Sequence, residues 1–147
     1  MKRVMLIGPT GSGKTTLLQK IKGEDLNYSK TQTIQFESEM IDTPGEFLQH
    51  RGYYNALKVT SVDADVIGFV SNVSEKEQIY APSFHSYFTK PVIGILTKMD
   101  LADTDEEVKE AHERLQMAGA RKIFEVSAYS GEGVKELVSY LHEEVDL

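Results

Sequence analysis

Apolar strand-like runs that alternate with helical stripes, a glycine-rich turn at the first strand–helix junction, and short polar motifs after later strands predict a three-layer α/β/α fold. The sheet is expected to be mostly parallel and doubly wound, with five or six strands, in a single domain covering residues 1–147. That length suits one hydrophobic core with little room for insertions. A composition of 40% hydrophobic and 27% charged residues is that of an ordinary soluble protein. The net charge of −7 argues against a nucleic-acid surface, which needs a basic patch. With no cysteine there is neither a disulfide nor a thiolate metal site. No apolar run approaches the ~20 residues of a membrane span, so no membrane partner is expected. Met1-Lys2-Arg3-Val4 runs straight into a strand, so no signal peptide is expected and the default location is cytoplasmic.

Residues 2–7 read as the first buried strand. Residues 15–22 form a helix with Leu17, Leu18 and Ile21 on one face, and Gly23 is placed to stop it. The polar stretch 24–33 reads as a loop. Residues 34–41 are strand-like, either one strand or a small hairpin turning at Glu37-Ser38. Pro44 and Gly45 make 43–51 irregular, and a helix follows over 53–60. Residues 65–71 and 92–96 are buried parallel-type strands. Between them, Pro82 breaks an ambiguous segment in which 83–88 suits a short helix. Its Tyr80, Phe84, Tyr87 and Phe88 read as core, with a partner-binding patch as the alternative. Thr104-Asp105-Glu106-Glu107 is a capping box for a helix to about Met117. Residues 122–126 are the last strand. Val134, Leu137, Val138, Leu141 and Val145 form the stripe of a C-terminal helix.

The stretch Gly8-Pro9-Thr10-Gly11-Ser12-Gly13-Lys14-Thr15 fits the phosphate-binding pattern G-x-x-x-x-G-K-[ST]. Its glycines let consecutive N–H groups turn inward on phosphate oxygens, and the next helix adds its positive end. Gly8, Gly11, Ser12, Gly13, Lys14, Thr15 and Thr16 are therefore candidate nucleotide contacts. Lys14 is placed to reach the β- and γ-phosphates, and the Thr15 hydroxyl to hold Mg²⁺. Asp42-Thr43-Pro44-Gly45 follows the second strand signal. Asp42 is the expected carboxylate partner of Mg²⁺, and the Gly45 N–H is expected on the γ-phosphate. Thr97-Lys98-Met99-Asp100 ends the 92–96 strand. A carboxylate in the purine plane accepts from guanine N1–H and N2, but meets an acceptor at adenine N1. The Lys98 stem is long enough to lie along base and ribose. After the last strand, a backbone N–H of Ser127-Ala128 is placed for guanine O6.

In this order, the P-loop, Asp-x-x-Gly, Thr-Lys-x-Asp and Ser-Ala resemble the motifs of the Ras-like P-loop GTPase domain over the whole chain. Thr97 departs from it, standing where that domain usually has Asn bridging to the P-loop; weaker affinity with retained guanine specificity is the expectation. Within that superfamily the chain is similar to the EutP/PduV family of ethanolamine and propanediol utilisation. The carriers are Met1-Lys2-Arg3, Lys30-Thr31-Gln32, Asp42-Thr43-Pro44-Gly45-Glu46 and Arg51-Gly52-Tyr53-Tyr54-Asn55-Ala56-Leu57. The resemblance implies GTP and GDP as ligands with Mg²⁺, slow hydrolysis, and a switch role associated with bacterial microcompartments. The partner classes it brings are a microcompartment shell or cytoskeletal protein.

Two departures bear on hydrolysis. Glu46 replaces the water-orienting Gln, and a carboxylate there faces a γ-phosphate of like charge. His50 is close enough in sequence to substitute, although a lone surface histidine is the simpler reading. The span from the switch threonine to Asp42 is also short. Thr31 or Thr33 supplies the hydroxyl that binds Mg²⁺ in the triphosphate state, and the resemblance favours Thr31. The expected catalytic set is thus Lys14, Glu46 and Thr31, with Thr15, Thr31 and Asp42 on the metal. His85, His112 and His142 show no ligand spacing. Two rivals remain: a P-loop kinase acting on a small metabolite such as acetate, and a non-catalytic assembly module that uses nucleotide as a structural ligand.

Overall fold

Short runs of consecutive apolar residues become strands here because both faces of the sheet are covered. The computed structural model describes residues 2–9, 11–32, 40–42 and 51–143. Its strands are β1 (Val4–Ile7), β2 (Met40–Asp42), β3 (Val66–Asn72), β4 (Val92–Thr97) and β5 (Ile123–Glu125). They form one sheet in the order β2-β1-β3-β4-β5, with every pairing parallel. The one-strand and hairpin alternatives for 34–41 lie outside the described residues, apart from β2. The helices are α1 (Lys14–Gln32), α2 (Tyr54–Thr60), α3 (Asp105–Met117) and α4 (Val134–His142).

The period of two along each strand sorts the core into two layers. Val4, Leu6, Val66, Val70, Ile93 and Ile95 face α1 and α4, which bury Leu17, Ile21, Val134, Leu137, Val138 and Leu141 against them. Met5, Ile7, Ile67, Phe69, Val92 and Leu96 face the other way, onto Leu57 of α2, Ala111 and Leu115 of α3, and an aromatic group from the β3–β4 connection. The Thr104 half of the capping box forms: Thr104 Oγ1 accepts from the Glu107 N–H at 3.1 Å, three acids occupy the first turn of α3, and the Glu107 carboxylate accepts from Ser74 Oγ at 3.3 Å.

The helix expected to stop at Gly23 continues to Gln32, so the loop expected over 24–33 is helical as far as residue 32. A glycine inside a helix costs only about 1 kcal/mol relative to alanine, and no proline follows to end it. Gly23 keeps a right-handed backbone, whereas Gly11, Gly13, Gly119, Gly131 and Gly133 do not.

The β3–β4 connection carries one 3₁₀ turn, Phe84–Tyr87, and otherwise fills its place in the layer with aromatic rings. Tyr80, Phe84 and Phe88 are buried and only Tyr87 is substantially exposed, so three of the four rings are core and do not form a surface patch. Tyr80 stacks on Phe69 with ring centres 4.7 Å apart. Its hydroxyl faces two buried carbonyls, Ile7 at 2.9 Å and Val70 at 2.7 Å, at the carboxyl ends of β1 and β3. Gln78 Nε2 holds the segment in place by donating to the carbonyls of Tyr80 (2.9 Å) and Arg114 (3.1 Å). Burial pushes the Tyr80 phenol well above its ordinary pKa, so it stays a donor. Tyr80→Phe removes the only proton that these two carbonyls share. It should lower the unfolding free energy by about 1–3 kcal/mol, read as a lower urea midpoint at unchanged m-value. An unchanged midpoint would mean that the two carbonyls do not depend on this hydroxyl.

Candidate nucleotide-binding site

The Gly8-to-Thr15 loop leaves the carboxyl end of β1, where an open parallel sheet places its ligand crevice. Ser12 N–H closes a turn on the Pro9 carbonyl at 3.1 Å, and Leu17 N–H bonds the Gly13 carbonyl at 2.9 Å to start α1. Gly13 takes φ +94°, a conformation that side chains rarely adopt. Gly8 is required by space: a Cβ there would stand 2.8 Å from both the Val70 carbonyl oxygen and Ser12 Oγ. Lys14 is buried, and its ammonium donates to the Gly8 carbonyl at 2.8 Å, so the cation is folded back over its own loop. The first turn of α1 contains no acid to oppose an anion, and Thr15 and Thr16 are exposed there.

Ser12 Oγ is buried with no hydrogen-bond partner among the described residues, and it packs against Gly8.

The β4 end clamps this loop. Thr97, buried at the end of β4, donates its hydroxyl proton to the Ser12 carbonyl at 2.5 Å. A second acceptor, the Ser71 carbonyl, lies at 3.4 Å, and one hydroxyl proton serves only one of the two well. The expected bridge from this position to the P-loop therefore exists, made by a single donor. Lys98 adopts a left-handed backbone (φ +60°), strained for a residue with a side chain. Its ammonium donates to the Gly11 carbonyl at 3.0 Å, so its stem spans the gap from β4 to the P-loop. Asp100 follows, exposed in the 3₁₀ turn Met99–Leu101.

Ser127, fully buried after β5, donates its hydroxyl to Asp100 Oδ1 at 2.8 Å and so orients the carboxylate. Met99 N–H bonds the Val126 carbonyl at 3.2 Å, tying the two strand ends together. Sequence reasoning valued Ser127-Ala128 for a backbone N–H and missed this side-chain contact. Only the three-dimensional adjacency of β4 and β5 reveals it.

The fold brings Gly8, Gly11, Ser12, Gly13, Lys14, Thr15, Thr16, Thr97, Lys98, Asp100, Ser127 and Ala128 to one edge of the sheet. Asp42 ends β2 with its Cα paired to that of Leu6, two residues before Gly8, and so stands beside the loop. Thr31 is not brought there. It lies in the last turn of α1, about 25 Å of helix beyond Lys14 at the usual ~1.5 Å rise per residue. That backbone position follows from the continuation of α1 through Gly23. Gly45, Glu46, His50 and Thr33 lie outside the described residues. His85 is exposed and His112 half-buried, and His112 Nε2 pairs with Glu125 Oε1 at 2.6 Å, away from any cluster of metal ligands among the described residues.

The donor chemistry suits the groups that the sequence implies. A glycine-rich loop with positive φ at Gly11 and Gly13, a buried ammonium and an unopposed helix start fit a polyphosphate. A threonine hydroxyl and one carboxylate at a strand end are hard oxygen donors of the kind that Mg²⁺ takes together with water and phosphate.

Fold and loop define a P-loop α/β protein. The sequence profile of the family described as "Ethanolamine utilisation - propanediol utilisation" (PduV-EutP) matches residues 1–143. The chain belongs to that family. It is 42% identical to the propanediol utilization protein PduV of Citrobacter freundii, over 97% of this chain and 94% of that one. It is 36% identical to the probable acetate kinase EutP of Salmonella typhimurium, over 96% and 89% respectively. GTPase Era of Mycoplasmopsis pulmonis is 26% identical over 91% of this chain but only 52% of its own length. Among solved structures, translation elongation factor SelB of Methanococcus maripaludis, in complex with the GTP analogue GPPNHP, superposes with a TM-score of 0.65. It is 20% identical, covering 99% of this chain and 35% of that one, and supports the fold alone.

Proposed function

We propose that this chain binds GTP and GDP with Mg²⁺ and hydrolyses GTP slowly, as a switch associated with the microcompartments of propanediol or ethanolamine utilisation. The observation that carries the nucleotide part is the Ser127–Asp100 pair, a carboxylate oriented at the end of β4 beside a lysine and a threonine clamped onto the P-loop. The curated GTPase relatives support the same reading, and membership of the PduV-EutP family supports the pathway.

On this reading Lys14 exchanges the Gly8 carbonyl for phosphate oxygens, and the loop N–H groups hold the remaining charge. Asp100 reads the guanine edge, and Lys98 keeps the base side of the loop in place. Thr15 and Asp42 hold Mg²⁺, which offsets negative charge on the β- and γ-phosphates. Glu46 stands in sequence where water would be oriented, and its like charge makes turnover slow. Single-turnover hydrolysis by the wild type should fall within about a decade of the ~10⁻⁴ s⁻¹ typical of unassisted small GTPases. A rate above about 1 s⁻¹ without a partner would overturn the slow-switch reading.

A second reading is favoured by one observation, the probable acetate kinase among the relatives at 36% identity. It uses the same phosphate loop but passes the phosphoryl group to a carboxylate. Adding acetate to the turnover assay separates the two: acetyl phosphate as product establishes the kinase, and inorganic phosphate alone supports the GTPase.

A further inference from the structure

The amino end of the sheet, opposite the P-loop, holds a groove of about 460 Å³. His85, Thr89, Lys90 and Arg121 line it, with Phe88 and Pro91 as apolar neighbours. The chain carries a net charge of −7, yet no acid is among the described residues lining this groove. The adjoining groove at Lys2 and Tyr140 has both Asp65 and Glu143 in its lining. Among the described residues, neither the Lys90 ammonium nor the Arg121 guanidinium has a hydrogen-bond or ion-pair partner.

The groove is built on fixed backbone. Arg121 N–H bonds the Val92 carbonyl at the start of β4 at 3.0 Å, and His85 N–H bonds the Ala118 carbonyl at 3.0 Å. The His85 ring lies against Gly119, which takes φ +100°, and a Cβ on Gly119 would collide with that ring. His85 Nδ1 stands 3.3 Å from the Ala118 carbonyl oxygen. That oxygen can only accept, so Nδ1 carries the proton of the neutral ring and Nε2 is left for a ligand.

We propose that this groove binds a small phosphate monoester, with the phosphate at Lys90, Arg121 and His85 and the organic part against Phe88 and Pro91. Two permanent cations match the charge of about −2 on a phosphate monoester near neutral pH, and exceed the single charge of a carboxylate. The guanidinium fork takes two phosphate oxygens, the ammonium acts as a point charge, and the Thr89 hydroxyl adds a neutral donor. His85 Nε2 accepts from a P–OH or, once protonated, donates to a phosphate oxygen. Apolar walls with a few polar groups, at this volume, are the make-up of a small-molecule site. A long polyanion such as RNA is disfavoured by the acidic remainder of the chain. β4 runs from Val92 to Thr97, about 17 Å at the usual ~3.3 Å rise per residue, so the groove and the P-loop can be filled together. The proposal therefore does not rest on the nucleotide reading.

Titration of the ¹⁵N-labelled protein with phenyl phosphate, followed by amide shifts, tests it, with benzoate as the carboxylate control. Saturable shifts are expected at His85, Gly119 and Arg121, with a dissociation constant of about 1 mM or below. Benzoate should bind at least tenfold more weakly, and Arg121→Ala and Lys90→Ala should each weaken phenyl phosphate about tenfold. Shifts at Gly11 and Gly13 report the P-loop separately. Shifts confined to those two glycines, non-saturating shifts in the groove, or equal affinity in wild type and both variants would overturn the groove as a site. Benzoate bound as tightly as phenyl phosphate would overturn the phosphate assignment.

Discussion

Lys14→Ala should weaken GTP binding by at least a hundredfold while the protein remains folded. In wild type the buried ammonium rests on the Gly8 carbonyl at 2.8 Å, and a polyphosphate offers it oxygens of full negative charge instead. Charge-assisted hydrogen bonds to protein groups contribute roughly 1.5–3 kcal/mol each, and two phosphate contacts place the loss at about 3 kcal/mol or more. Calorimetric titration of wild type and variant with GTP measures the difference, and thermal melting of both confirms that the variant is folded. Equal affinities would show that this loop is a glycine-rich turn without a phosphate.

Asp100→Asn should lower GTP affinity at least tenfold and make XTP the preferred ligand. The Ser127 hydroxyl donates at 2.8 Å to Asp100 Oδ1. In the asparagine variant the amide oxygen is the acceptor that can keep that bond, so the NH₂ group turns toward the base. There it faces the N2 amino group of guanine, donor against donor, at a cost of roughly 1–3 kcal/mol for each mispaired buried group. Xanthine has a carbonyl oxygen at that position, which the new donor suits. Competition between GTP and XTP measures the inversion, and an unchanged ratio would reduce Thr97-Lys98-Met99-Asp100 to a surface loop. Phosphate and Mg²⁺ contacts are untouched by this change, so its outcome is independent of the Lys14 experiment.

What the sequence made legible was what depends on local pattern. The apolar runs became β1, β3, β4 and β5 within one or two residues of their expected ends, and the Thr104 capping box and the Val134–Leu141 stripe became α3 and α4. The P-loop spacing placed Lys14 and Thr15 correctly at the start of α1, because glycine turn and helix start are adjacent in the chain. Three features were not legible. Gly23 suggested a stop that a cost of about 1 kcal/mol does not enforce, and α1 runs on to Gln32. The aromatic segment gave no period because its rings are fixed by tertiary contacts. Tyr80, for instance, reaches a carbonyl 73 residues earlier in the chain. The Ser127–Asp100 bond joins two loops after adjacent parallel strands, a neighbour relation set by strand order and not by spacing.

The central claim is guanine-nucleotide binding through the P-loop and the Asp100 edge. Its most direct test is a calorimetric titration of the wild-type protein with GTP, GDP and ATP in the presence of Mg²⁺. The account predicts saturable binding of GTP and GDP, with ATP weaker by at least tenfold because its N1 acceptor meets the Asp100 carboxylate. ATP bound as tightly as GTP would contradict it.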